Sequence, residues 1–277
     1  MDFKLELPID ILPIVFQYLD LQDLVNCSRT CWCWNADANT LLYKAIIFSS
    51  LSKLVHFVES IGGFHNSHEM CVKNNIDLYK PLGHLVKSVE ITASYYQYDD
   101  RHNYSTILSR LATVTPNVHG AMIYLPIITL DADRGKLFNW SLLGLKWSKL
   151  TRLSLRDISG FSEEAHDIYD INDVLNKLQY LSIARCNGIL THMLPSLPTM
   201  PYLQFLKIGI DCVSDYHALK RILHNCQDTL HTLLVCFEKN SLLNSFDVDD
   251  LNIGSKKLKT FELCSREDLQ FFSHFSS

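Results

Sequence analysis

The sequence predicts an α/β protein: a small three-helix module at the N-terminus, then strand–helix units stacked so that a curved parallel sheet lies inside and helices outside. Three observations carry this. Leu7, Ile9, Ile11, Leu12, Ile14, Val15, Phe16, Tyr18 and Leu19 crowd one short segment, and a helix apolar on nearly every side must be covered on more than one of them. The pattern L-x-x-L-x-L, a strand whose large residues point into a core, occurs seven times with first residues 25 to 32 apart. Between its occurrences lie stripes at helical spacing: Ile107, Leu108, Leu111 and Val114, then Ala218, Leu219, Ile222, Leu223 and Cys226.

Taken in order, Asp10 is positioned to cap the first helix, which puts Pro13 in the first turn where a missing N–H costs nothing. Asp20 restarts a second helix, with Asp23 near its positive end. A third helix is expected over Ser28 to Ala38. Ala45 to Phe48 is β-prone. Leu51, Leu54, Val55, Val58 and Ile61 then recur at helical spacing, and Gly62-Gly63 stops that helix.

The seven strands are read at Val86-Val89-Ile91, Val118-Ala121-Ile123, Leu150-Leu153-Leu155 and Leu178-Leu181-Ile183, continuing at Leu203-Leu206-Ile208, Leu230-Leu233-Val235 and Leu258-Phe261-Leu263. One strand and one helix cannot bury their shared apolar face alone, whereas stacked neighbours can. Right-handed crossovers through the helices give such an arc its hand. At the far end, Leu269, Phe271 or Phe272, and Phe275 are expected to fold over the core.

Leu7-Pro8, Ile11-Leu12, Phe16, Tyr18-Leu19-Asp20, Asp23-Leu24, Ser28, Cys31, Trp34 and Leu42-Tyr43 follow one another in the order and spacing of an F-box, which residues 1–44 resemble. Ile9 and Asp10 stand where many members carry two acids, and Tyr43 where Trp is usual. The resemblance implies docking onto a Skp-type adaptor, and through it onto a cullin–RING ubiquitin ligase. Its adaptor-facing positions carry over to Leu7, Pro8, Ile11, Leu12, Phe16, Leu19, Leu24, Cys31 and Trp34. Residues 45–277 resemble a degenerate leucine-rich-repeat domain of about seven repeats behind an N-terminal capping strand–helix unit. Cys186 sits where such repeats close the turn after the strand. Together the two resemblances imply an F-box leucine-rich-repeat protein, the non-catalytic substrate receptor of a Skp–cullin–F-box ligase.

Composition narrows the alternatives. An apolar fraction of 47% supports a sizeable core. A formal charge of −5 without a Lys/Arg run offers no attraction to nucleic acid or anionic lipid. No stretch is long and apolar enough to span a membrane, and the N-terminus lacks the pattern of a signal peptide. Nine irregularly spaced cysteines then read as reduced thiols of the cytoplasm or nucleus. As candidate zinc ligands, Cys27, Cys31 and Cys33 crowd three thiols together without a fourth ligand at finger spacing, while one helical face could present His65, His68 and Cys71, which lie in a polar connecting stretch; both groups also read as ordinary side chains. No cofactor is expected. Phosphate loops, nucleophile elbows and His-Glu-x-x-His motifs are missing from the sequence.

Residues at the third, fifth and seventh positions of each strand point away from the core. In the middle units these are Tyr124, Arg152, Arg156, Tyr180, Phe205 and Lys207, of the types that dominate binding hot spots. They are the candidate target-binding residues of the concave face. A one-residue slip in register would instead swap the faces. The Tyr95, Tyr96, Tyr98, Arg101 loop is a second candidate surface. Three functions stay open at this stage: a receptor presenting an unknown protein substrate, an adaptor-bound scaffold with no part in ubiquitination, and a repeat module whose F-box-like helices only cap the first unit.

Overall fold

The computed structural model describes residues 11–61, 82–92, 104–124, 147–158, 173–186, 199–237 and 257–265. The chain starts with three helices, α1 (Leu12–Phe16), α2 (Leu21–Ser28) and α3 (Trp32–Leu42). Pro13 lies in the first turn of α1, whose N-cap is Ile11 without a side-chain cap; Asp10 is outside the described residues. Asp20 caps α2, its Oδ1 accepting the Asp23 N–H at 2.8 Å. The third helix begins four residues later than the sequence suggests. α2 runs on through Ser28, whose hydroxyl donates to the Val25 carbonyl, and the chain becomes helical again only after extended Cys31. Asn35 ties the two helices together by donating to the Ser28 carbonyl at 2.7 Å.

These helices have a small core of their own, Leu12, Phe16, Leu24 and Ala38, with Leu19, Trp34, Leu41 and Leu42 packed around it. Phe16 meets Trp34 edge to face with ring centroids 5.7 Å apart, a geometry that suits the ring quadrupoles.

The rest of the described chain builds one parallel sheet. Its strands are β1 (Ala45–Phe48), β2 (Ser88–Thr92), β3 (Gly120–Tyr124), β4 (Arg152–Arg156), β5 (Tyr180–Ala184), β6 (Phe205–Ile210), β7 (Thr232–Phe237) and β8 (Thr260–Ser265). They lie side by side in sequence order, β1 to β8, every pair parallel. Crossover helices include α4 (51–61), α5 (Tyr104–Val114) and α6 (Val213–Cys226). Leu51, Leu54, Val58 and Ile61 of α4 are buried, as are Leu108 and Leu111 of α5 and Ala218, Leu219 and Ile222 of α6.

One backbone contact recurs at every step. The carbonyl just before a strand accepts two successive N–H groups from the next unit: Lys44 from Lys87 and Ser88, Lys87 from His119 and Gly120, His119 from Thr151 and Arg152. Thr151, Gln179, Gln204 and His231 repeat it down to Thr260. The register is therefore fixed by the same device throughout, and the large residues of each strand fall in one plane. From Val86 through Val235 those positions are all buried in one continuous core. The last unit differs: Phe261 is half-buried and Leu263 is 40% exposed, because β8 is the edge of the described sheet. Leu269, Phe271, Phe272 and Phe275, expected to cover that edge, lie outside the described residues, as do 95–101, His65, His68 and Cys71.

Between units, Asn117 donates to the His84 carbonyl at 2.9 Å and receives Lys149 Nζ at 2.6 Å. Trp147, 1% exposed, donates from Nε1 to Thr115 Oγ1 at 3.3 Å. Cys186 donates its thiol to the Ala184 carbonyl at 3.2 Å just past β5. Burial pushes that thiol up to about 12, so it is a packing group rather than a nucleophile. No described helix is long and apolar enough to cross a membrane.

Candidate functional site

Two surfaces collect residues whose exposure the fold does not require. The first is on the helical module. Leu12 and Phe16, four apart, turn inward and leave Ile11, Ile14, Val15 and Tyr18 on the opposite side of the same short segment. Leu21 and Trp32 are exposed as well; Tyr18 and Trp32 reach 85% and 67% exposure. So many large apolar side chains on a module of three short helices mark an interaction surface.

The nine positions carried over from the F-box pattern divide between core and surface. Leu12, Phe16 and Leu24 form the module's own core rather than lining a surface, with Leu19 and Trp34 half-buried against it. Ile11 and Cys31 are exposed. Leu7 and Pro8 lie outside the described residues. The adaptor-facing positions carried over from the motif did not include Ile14, Val15, Tyr18, Leu21 and Trp32, although Tyr18 belongs to the motif itself. The signal for the first three was present in the 3–4 spacing that runs from Ile11 through Tyr18, out of phase with Leu12 and Phe16.

The second surface is the sheet face opposite the core. Arg152, Tyr180 and Phe205 are register partners on β4, β5 and β6. Tyr180 and Phe205 stack with centroids 4.4 Å apart and planes 9° apart. The Arg152 guanidinium carbon lies 5.3 Å from the Tyr180 centroid, within cation–π range. Tyr180 hydrogen-bonds to Ser182 two residues along its strand, and burial raises its hydroxyl above its ordinary value despite Arg152. Lys207 stands on the same side of β6 as Phe205, opposite Ser182 in register.

Tyr124 and Arg156 belong to a separate group at the C-terminal ends of β3 and β4. Arg156 lies 5.3 Å from the Tyr124 ring centroid, and its Nε is 3.8 Å from Asp157 Oδ2. Arg185 holds the same carboxylate with Nε at 2.6 Å and Nη2 at 2.8 Å. Burial pushes the Asp157 carboxyl above its ordinary range; Arg185, Arg156 and the Tyr124 hydrogen bond pull it only part of the way back. Asp157 and Arg185 follow β4 and β5 directly, and both have positive φ, 54° and 51°. That conformation is uncommon for residues other than glycine, and here their opposite charges meet across neighbouring units. Sequence reasoning missed this pair. The signal was an acid and a base at the same place in consecutive units.

Among the described residues, no three His, Cys, Asp or Glu side chains gather as a metal site. Cys27, Cys31 and Cys33 are free thiols.

The helical surface coincides with a known module. The F-box-like family matches residues 5–49. F-box/SPRY domain-containing protein 1 of Danio rerio is 43% identical over 49 residues, 17% of this chain and 17% of that protein. The chain thus carries an F-box-like domain at its N-terminal end. The relative is matched over less than a fifth of its length, and strands β2 to β8 lie beyond the residues that the F-box-like family matches.

Proposed function

We propose that this chain is the substrate-recognition subunit of a Skp–cullin–F-box ubiquitin ligase, with a degenerate leucine-rich-repeat solenoid as its target-binding domain. The observation that carries the first half is the exposed set Ile11, Ile14, Val15, Tyr18, Leu21 and Trp32 on a module matched by the F-box-like family. F-box domains bind Skp-type adaptors, and an apolar face of this kind is what an adaptor helix covers. The reading as leucine-rich repeats is supported by the sequential parallel strand order and by the backbone contact repeated from unit to unit.

On this reading the chain performs no covalent chemistry. It holds the adaptor at one end and presents a protein target on the concave face, where Tyr124, Arg152, Arg156, Tyr180, Phe205 and Lys207 stand. Ubiquitin transfer then belongs to partner subunits. It acts in the cytoplasm or nucleus and binds neither nucleic acid nor membrane. The test is affinity purification of the full chain from cells with the proteasome blocked. Adaptor, cullin and an accumulating ubiquitinated protein should co-purify. Loss of the adaptor on Ile14→Glu with Tyr18→Glu, in a chain that still folds, ties binding to this face. Adaptor without cullin would favour a scaffold outside ubiquitination, and no adaptor at all would remove the proposal.

A further inference from the structure

We infer that the sheet face takes an acidic target segment by inserting one of its planar side chains, a tyrosine or phenylalanine, over Thr232 against the outer face of Phe205. This rests on the reading of that face as the target-binding surface and adds what the target must carry.

The geometry begins with spacing. Neighbouring strands lie about 4.8 Å apart, and the Tyr180–Phe205 centroid distance of 4.4 Å nearly equals that step. With planes only 9° apart, the two rings stand side by side, each above its own strand. Arg152 continues the stack on the β4 side, so Tyr180 has a neighbour on both faces. Phe205 has Tyr180 on one face. Its register partner on the other side is Thr232 of β7, followed by Thr260 of β8. A threonine is too short to reach along a phenyl ring standing above the sheet. The next rung of the ladder therefore falls over Thr232, one strand step wide, and Phe205 is only half-buried. A flat side chain has the thickness of that step. A stacked ring gains an interaction beyond its buried area, which an aliphatic side chain in the same place lacks.

Charge selects the rest of the segment. Arg152 and Arg156 are exposed on this face, and Lys207 stands two residues from Phe205 on β6. Asp157, beside them, is held by Arg185. Of the acids at the fifth strand position, Glu90 is far off on β2, whereas Glu262 on β8 is one strand from Thr232, as near in register as Lys207 on the other side. A segment that runs from a ring over Thr232 across β6 towards β4 thus leaves Glu262 behind and places its neighbours beside Lys207 and towards Arg152, where carboxylates are favoured and lysines are not.

The test uses the full chain in complex with its adaptor and three fluorescent polymers of equal length: a random glutamate–tyrosine copolymer, a glutamate–alanine copolymer and polyglutamate. Fluorescence anisotropy should show the glutamate–tyrosine polymer binding at least about tenfold more tightly than the other two, one decade being about 1.4 kcal/mol. Thr232→Trp, which fills the rung from within, should bring it down to the level of polyglutamate and leave polyglutamate itself unchanged. Phe205→Leu should also remove the preference for the glutamate–tyrosine polymer, without adding bulk. Equal binding of all three polymers, or a tyrosine preference that survives both substitutions, would overturn the inference while leaving the face as an anion-binding surface. Failure of every polymer to bind also overturns it. The wider reading is judged separately, by whether Arg152→Glu loses cellular targets.

Discussion

Tyr180 and Phe205, twenty-five residues apart in sequence, lie face to face with centroids 4.4 Å apart because β5 and β6 pair in register. Such a pair is worth about 0.5–1.5 kcal/mol beyond its buried area. A double-mutant cycle with Tyr180→Ala and Phe205→Ala, read by urea unfolding, should give a coupling of that size. Coupling near zero would mean that the rings merely share a surface.

Gly83 tests the packing behind the sheet. A Cβ there would come within 1.9 Å of the Val114 carbonyl oxygen at the end of α5. The obstacle is backbone, so the neighbour cannot turn aside. Gly83→Ala should cost on the order of 1–3 kcal/mol, lowering the urea midpoint without changing the slope. Gly120→Ala is the control: its added methyl would meet Ser88 Oγ and Arg152 Cβ at 3.7 and 3.8 Å, ordinary contact distances.

The difference between those two glycines shows where the sequence was readable. The L-x-x-L-x-L pattern located strands β2 to β8 and the alignment of Arg152, Tyr180 and Phe205, because period-two burial leaves a mark at each strand. It did not reveal that Gly83 faces a carbonyl or that Asp157 meets Arg185, since both depend on how one unit's turn approaches the next. In the helical module the motif placed the helices but not their faces. Leu12 and Ile14 are equally apolar, and only the packing of α1 against Trp34 decides which is covered.

That division predicts two kinds of mutant. Phe16 is 2% exposed in the small core, and Phe16→Ala should cost about 3–5 kcal/mol, enough to melt a module of this size. Ile14 is 56% exposed. Ile14→Glu should leave the helical circular-dichroism signal and melting temperature nearly unchanged while abolishing adaptor binding. If both variants lost binding and folding together, the face would be structural.

Asp157 gives a pH dependence with a definite sign. Its carboxyl is raised above the ordinary 3.8 by burial, so folding favours its protonated form. The associated stability is present below 3.8 and is lost as pH rises through the higher folded value. Asp157→Asn cannot ionise. The melting temperature of the natural chain relative to that variant should therefore fall as pH is raised from about 4 to about 6.5. A relative rise across this window would mean that the Arg185 and Arg156 pairing outweighs burial.

Arg152 and Arg156 are not equivalent, although both are exposed and lie on one strand. Arg152 leans over Tyr180; replacing it removes a cation–π contact of about 0.5–1 kcal/mol at an exposed site. Arg156 is 3.8 Å from Asp157, so Arg156→Glu would set two carboxylates against each other and disturb the turn that Arg185 holds. Arg156→Gln removes the charge without that repulsion. The informative variant is thus Arg152→Glu with Arg156→Gln. It should melt within a few degrees of the natural chain and, on the proposed reading, retain the adaptor through the helical module. In affinity purification with the proteasome blocked, it should lose most of the accumulated target. Undiminished enrichment of the same partners by a folded double mutant would move the target site off this face of the sheet.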